Sequence, residues 1–549
     1  MKIALAQLNY HIGNFQKNAK KIIDHIHKAK ENRADLVVFS ELAVCGYPPQ
    51  DLLERSDFVE DTFACLDSIR KEVKDIAVII GAPSLNPNSK GKNLYNSAYF
   101  IENEKIQLVQ HKTLLPDYDV FDECRYFEPN DKFHTIKYKG YRIALTICED
   151  LWDKLPQQNN FAKTELYTTS PLKRLMKDNP DIVINIAASP FSYDRDDTRT
   201  TILGDVCKKY GVPLVYVNQV GAHAELIFDG DSRVFSDKGE VKLQLPSFEE
   251  DFQIFDFEKI HEIDTLPLQK TNDMELIHDG LVLGVKDYFA KNGFKKALIG
   301  LSGGIDSAVT FVIVQRALGS ENVHAILMPS EFSSDHSVDD AKKLAENVDV
   351  SYDIISIKKS YDAVVNTMTP VFKDLPFNVA EENIQARLRG LILMAYSNKF
   401  AHLVLNTSNK SEMAVGYGTL YGDMAGALSV LGDVYKTKVF ELARYMNKDG
   451  EVVPEHTIVK PPSAELRPNQ KDSDSLPDYD LLDKILYRFI EQNASIEDIL
   501  QEGFAEDVVR RVIRLVNLNE YKRYQAAPVL RVTTKSFGIG RRIPLVHKF

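Results

Sequence analysis

Midway along the chain the stretch ALIGLSGGIDSAV (297–309) carries an apolar run into two glycines, flanked by serines and followed by an aspartate. A buried strand ending at Ser302, a bend at Gly303 and Gly304, and a helix opening near Asp306 and Ser307 would aim several free backbone N–H groups at one point, which favours phosphate. The Lys-Ser/Thr ending of a Walker loop is missing, and no G-x-G-x-x-G follows this strand. Asp306 would repel a bare phosphate, so its carboxylate is expected to hold Mg²⁺ accompanying a polyphosphate. Earlier in the chain a second chemistry is written in three residue types. Glu41 ends ADLVVFSE, Lys112 lies in VQHKTLLPDYDVFDECRYF, and Cys148 lies in YRIALTICEDLW. Each follows or interrupts a strand signal, and the three are expected to converge at the same end of one sheet. A thiol ionises at about pH 8.5; a neighbouring cation and a general base would make it reactive toward a carbonyl at neutral pH.

The elements that must position these groups fall into two series. KIALAQLN, ADLVVFSE, IAVIIGAP, SAYFIENE, YRIALTICED, DIVINIAAS and PLVYVNQV read as strands, with amphipathic stretches such as FQKNAKKIIDHIHKAKEN between several of them. SAYFIENEKIQLVQH reads as a hairpin, so pairing is expected to be mixed. Strand signals fade over 245–270, and a linker is set at 259–272 between domains 1–258 and 273–549. The second series alternates: a helix at about 275–292, strand KKALIGLS, helix DSAVTFVIVQRALG, strand VHAILMPS, helix SVDDAKKLAENV, strand DIISIK. Alternation of this kind builds βαβ units and a parallel sheet. PPSAELRPNQKDSDSLPD (461–478) is the one long turn-rich segment.

Composition limits the partners. A chain of 549 residues, 44% apolar and 27% charged, is too long for one core and has ordinary soluble usage. A net charge of −12 argues against nucleic acid or an anionic membrane as partner, while leaving small anionic ligands open. No stretch approaches the roughly 20 apolar residues of a membrane span, and MKIALAQLNYHIG is interrupted too early to be a secretory signal; a cytoplasmic location is expected. The five cysteines (Cys45, Cys65, Cys124, Cys148, Cys207) are odd in number and lack paired spacing, which disfavours disulfides and zinc. Cys65 and Cys207 lie in helical stretches, and Cys45 and Cys124 near the Glu41 and Lys112 segments; only Cys148 sits where a strand exits into a turn.

SGGIDS resembles the pyrophosphate loop of the ATP pyrophosphatase superfamily, and AEENIQARLRG with LNTSNKSEMAVGYGTLYGDMAGALSVLGDVYKTKVFELARY resembles segments of the NAD synthetase family. That resemblance implies a Rossmann-like doubly wound sheet. It puts Gly300, Leu301, Ser302, Gly303, Gly304, Ile305, Asp306, Ser307, Thr407 and Lys436 at ATP, with Glu412 joining Asp306 around Mg²⁺. It puts Asn383, Glu412, Tyr417, Gly418, Thr419, Leu420, Asp423 and Lys522 at deamido-NAD. The first half resembles the nitrilase superfamily, which implies an α-β-β-α sandwich, a Glu41–Lys112–Cys148 triad supported by Glu123, and a glutamine site at Tyr118, Ser189 and Arg195. Together the resemblances imply hydrolysis of glutamine to supply ammonia for the ATP-dependent amidation of deamido-NAD, in a homo-oligomer. Another amidotransferase with the same loop, and a nucleotide-binding protein with decayed sites, are the readings to be weighed against it.

Overall fold

The computed structural model describes residues 1–152, 166–194, 196–267, 271–468 and 470–548, and the chain divides into two units, 1–223 with 227–270, and 224–226 with 271–549. The first unit holds β1 (Lys2–Gln7), β2 (Leu36–Val38), β3 (Ala77–Leu85), β4 (Leu94–Glu102), β5 (Lys105–His111), β6 (Thr135–Tyr138) and β7 (Tyr141–Ile147). It continues with β8 (Ile182–Ala187), β9 (Leu214–Asn218), β10 (Val220–His223), β11 (Leu226–Asp229), β12 (Arg233–Phe235), β13 (Val241–Gln244) and β14 (Asp251–Asp256). Two six-stranded sheets result, ordered β14-β1-β2-β3-β4-β5 and β13-β12-β9-β8-β7-β6, and β10 pairs with β11 separately.

Strand β1 shows why the layers form. Its alternate residues Ile3 and Leu5 enter the core between the two sheets, while Ala4 and Ala6 face the other way, against Ile22, Ile26 and Ala29 of the helix Phe15–Glu31. Both faces of the strand are covered, so it reads as a nearly continuous apolar run. Asn14 caps that helix by accepting from the Lys17 N–H, and the spacing of its buried residues keeps one stripe on the sheet. Leu203 and Cys207 of the helix Asp196–Tyr210 join the core of the second sheet, completing the expected α-β-β-α order.

Two strand readings change. The strand-poor stretch 245–270 contains β14, which pairs antiparallel with β1 over its whole length, from Lys2 opposite Asp256 to Gln7 opposite Asp251. Its acidic ends mask an alternation in which Phe252 and Ile254 meet the helix layer and Phe255 meets the inter-sheet core. In the second unit β15 (Ala297–Gly300), β16 (Val323–Leu327), β17 (Ser351–Ile354) and β18 (Leu403–Val404) form a parallel sheet ordered β17-β16-β15-β18. The strand expected at DIISIK therefore lies at SYDI, an edge strand that leaves Ile354 exposed. The helix Ile305–Leu318 follows β15 and is buried along most of its length. A separate apolar cluster gathers Leu482, Ile485, Val512 and Val516 under Met413 and Val415 of the short helix Lys410–Val415.

Phe100 on β4 is fully buried and meets Tyr138 of the facing sheet edge-on, with centroids 5.4 Å apart. Phe100→Ala is expected to destabilise the first unit by about 3–5 kcal/mol, read as a lower urea midpoint at unchanged slope.

Candidate active sites

Strands β2, β5 and β7 end at Val38, His111 and Ile147, immediately before the segments that carry Glu41, Lys112 and Cys148. β3 runs parallel to β2, and β4 and β5 each reverse direction in turn, so β5 delivers Lys112 to the sheet end that carries Glu41. Cys148 leaves the other sheet. The expectation of one shared sheet is thus corrected: the group forms where the ends of two facing sheets meet, and the Ala188 N–H after β8 donates to Glu41 Oε2 at 2.9 Å to join them. Gly81 of β3 makes room for the Glu41 turn, since a Cβ there would lie 2.3 Å from the Leu42 nitrogen.

The Lys112 ammonium is buried between two carboxylates, 2.8 Å from Glu41 Oε1 and 2.7 Å from Glu123 Oε1. Asn96 Nδ2 donates to Glu41 Oε1 at 2.7 Å and the Tyr47 hydroxyl donates to Glu123 Oε1 at 2.9 Å. Burial pushes the Glu123 carboxyl up to about 7, with Lys112 opposing and Glu41 adding to the rise. Cys148 has φ 42°, a costly backbone conformation for a residue with a Cβ, and it opens the short turn Cys148–Leu151. Burial holds its thiol well above the ordinary range; Glu41 raises it further and Lys112 lowers it. A thiol held this way needs a base beside it to become a nucleophile.

Tyr118 donates to Glu149 Oε1 at 2.7 Å, and Tyr167 donates to the same oxygen at 3.0 Å. Ser189 lies just past β8, where its N–H donates to Asn218 Oδ1 at 2.9 Å. Arg195 lies outside the described residues. Asn96, Tyr47, Glu149, Asp150 and Tyr167 were not singled out from the sequence. The only signals for them are an amide inside the apolar run of β4 and two acids directly after Cys148.

In the second unit Gly303 has φ 80°, and a Cβ on it would lie 2.2 Å from the Ser337 carbonyl oxygen. The turn is therefore closed to any other residue. A cavity of about 290 Å³ is lined by Gly300 through Ser307 and by Thr407, Glu412, Tyr417, Asp423 and Lys436. Lys436 Nζ lies 2.5 Å from Asp306 Oδ2 and 3.5 Å from Glu412 Oε1, and Asn409 Nδ2 donates to Asp306 Oδ1 at 2.8 Å. Ser411 Oγ accepts the Lys436 N–H at 2.9 Å and Asp483 accepts the Thr437 N–H at 2.9 Å, which fixes the start of the helix Lys436–Met446.

Burial, then the charge of Asp306, pushes Glu412 up to about 8. Two carboxylates against one ammonium leave an excess of negative charge that suits a divalent cation. Among the described residues no group of three His, Cys, Asp or Glu side chains could hold a metal. A pair fits Mg²⁺, which keeps waters and takes phosphate oxygens for its remaining positions.

Gly418 and Lys522 line an adjoining cavity together with Glu412 and Tyr417. Lys522 Nζ donates to the Gly416 and Gly418 carbonyls, each at 2.8 Å. Thr419 Oγ1 donates to Asn383 Oδ1 at 2.7 Å, its N–H donates to Asp423 Oδ1 at 2.6 Å, and the Leu420 carbonyl accepts from Arg387. The expected residues from Asn383 to Lys522 thus meet around one turn.

Because the folded state raises the affinity of Glu123 for its proton, its contribution favours folding below about pH 4.5 and is lost as pH climbs through about 7. Glu123→Gln is expected to flatten that part of the melting-temperature profile between pH 5 and 8; an unchanged slope would show that Glu123 does not hold the proton.

Residues 2–259 match the carbon-nitrogen hydrolase family model and residues 277–526 match that of NAD synthase. The glutamine-dependent NAD(+) synthetase of Synechocystis sp. is 44% identical over 100% of this chain and 99% of its own length, and that of Acinetobacter baylyi is 43% identical over 100% and 98%. A solved structure of the Acinetobacter baumannii glutamine-dependent NAD+ synthetase in complex with ADP superposes with a TM-score of 0.77 at 40% identity, covering 99% of this chain and 98% of that one. With likeness of this extent running end to end, the chain belongs to the family of glutamine-dependent NAD(+) synthetases.

Proposed function

We propose that this chain is a carbon–nitrogen ligase that hydrolyses glutamine and uses the ammonia to amidate deamido-NAD to NAD, at the expense of ATP. The observation that carries the reading is the pairing, in one polypeptide, of two charge arrangements. One is an ammonium between two carboxylates beside a strained cysteine; the other is a glycine turn facing two carboxylates and a lysine.

In the first site Glu41 takes the thiol proton as Cys148 Sγ bonds to the side-chain amide carbon of glutamine. Lys112 Nζ stabilises the oxygen that becomes negative. The C–N bond then breaks as Glu41 returns the proton to the departing nitrogen, and ammonia leaves. Water, giving its proton to Glu41, cleaves the thioester to glutamate and regenerates the thiol. Glu123 holds Lys112 from the side opposite Glu41, and Tyr118, Ser189 and Arg195 receive the amino-acid end of the substrate; Arg195 has the charge to pair with its α-carboxylate.

In the second site the free N–H groups at the start of the helix after Gly304 and the Lys436 ammonium receive the phosphates of ATP. Asp306 and Glu412 would hold Mg²⁺, which would supply positive charge for the phosphate oxygens. The nicotinate carboxylate of deamido-NAD, held by the residues between Asn383 and Lys522, attacks the α-phosphorus and pyrophosphate leaves. Ammonia then attacks the resulting acyl adenylate and displaces AMP. Ammonia in water near pH 7 is mostly ammonium, which has no lone pair; passage between the sites without release to water keeps it reactive.

Homo-oligomer formation belongs to the same proposal, supported by Leu391, Met394 and Phe400, which the helix Val379–Phe400 leaves exposed. The partners are small molecules. A cytoplasmic setting accords with five free cysteines, and among the described residues no helix is long and apolar enough to cross a membrane.

Cys148→Ala is expected to abolish NAD formation from glutamine and to leave formation from added ammonium within about twofold, because only the nitrogen source is lost. Asp306→Ala is expected to stop synthesis from either source. Loss of both activities in a folded Cys148→Ala protein, or continued synthesis in Asp306→Ala, would contradict these assignments.

A further inference from the structure

Asp150 is buried two residues after Cys148 and has no cation within ion-pair distance among the described residues. Its carboxylate instead gathers three backbone donors. Oδ2 accepts the Ile147 N–H at 3.1 Å, a local bond that caps the turn beginning at Cys148. Oδ1 accepts the N–H groups of Thr113 and Leu114, both at 2.9 Å, and these two residues directly follow Lys112. A residue needed only to cap the turn would use the first bond alone. The other two cross from one sheet to the other, between segments 36 and 37 positions apart in the chain.

We propose that Asp150 is a positioning residue for the glutaminase reaction: it sets the distance between the Lys112 ammonium and the Cys148 sulfur by tying the backbone after one to the backbone around the other. The backbone bonds of Lys112 itself run to Asn96 and Asn130, on its own side of the site. Asp150 thus fastens that side to the cysteine turn. Three N–H donors to one carboxylate also offset part of the penalty for burying it, although burial still pushes its carboxyl up to about 6. The backbone strain at Cys148 gives the tie a further task, because a turn with φ 42° persists only where its surroundings fix it.

The inference rests on the proposed glutamine hydrolysis, and the test separates the two. Asp150→Asn keeps the shape but turns an N–H₂ toward one set of donors. The glutamine-dependent kcat is expected to fall about tenfold to a hundredfold, as misplacement by about 1 Å can do, with KM for glutamine and the ammonium-driven rate within about twofold of the parent protein. Asp150→Glu keeps the charge but lengthens the tie, and the same kcat loss is expected if the Asn variant does not accumulate.

Alkylation of Cys148 by iodoacetamide, followed against pH by mass spectrometry of its peptide, requires no glutamine. Burial, Glu41, Glu149 and Glu123 raise the midpoint of that thiol and Lys112 lowers it. Withdrawing Lys112 should therefore move the midpoint up, whereas losing the Asp150 charge alone would move it down. An upward shift supports the tie even if the parent protein releases no glutamate, an outcome that would sink the hydrolysis reading instead. A midpoint that stays or falls, a kcat within twofold of the parent, or an equal loss of glutamine-driven and ammonium-driven rates would overturn the proposal.

Discussion

The first unit is organised around one buried cation. Lys112 sits in the protein interior with a carboxylate on each side, and removing the lysine would leave two acids buried side by side in a medium that solvates their charge poorly. Glu41 comes from the end of β2, Glu123 from a short turn after β5, and Lys112 from the exit of β5 itself, so the strand order of one sheet builds the row and the facing sheet must close on it to add Cys148. Tyr47 and Asn96 consume lone pairs on the two acids that the lysine leaves over. A thiol placed against this row feels both signs of charge, which is what a nucleophile that must lose and regain a proton needs.

The second unit repeats the ratio of one ammonium to two acids in a more open setting. Here one ammonium faces two acids at the edge of a cavity, and the excess is negative. The glycine turn brings helix N–H groups to the same cavity, so an incoming anion finds donors on one wall and a cation-seeking pair on the other. Asn409 binds Asp306 with its amide N–H₂ and accepts the Glu412 N–H with its oxygen, which keeps the two acids in register with each other.

What the sequence disclosed follows from how locally each feature is encoded. The Gly303–Gly304 bend is legible because glycines interrupt an apolar strand just where a helix begins, and Cys148 because it stands at a strand exit. Their partners are not local. Asp150 becomes part of the thiol site only through bonds to residues 36 and 37 positions away, and Asn96 looks like any amide in a strand until β4 is laid beside β3. The strand at SYDI is masked for a related reason: apolar DIISIK is the better strand by composition, but the parallel register with β16 takes in the more polar residues before it and leaves Ile354 exposed. Strand β14 hid behind its aspartates.

That last strand imposes an order on biosynthesis. β1 leaves the ribosome long before one of its two neighbours, β14, which arrives only with residues 251–256. Until then the nascent sheet has a long unpaired border of apolar side chains and free amides, the kind of border that recruits other chains. Shortened versions of the glutaminase half that stop before residue 256 would keep that border open for good, and insoluble protein is their natural fate.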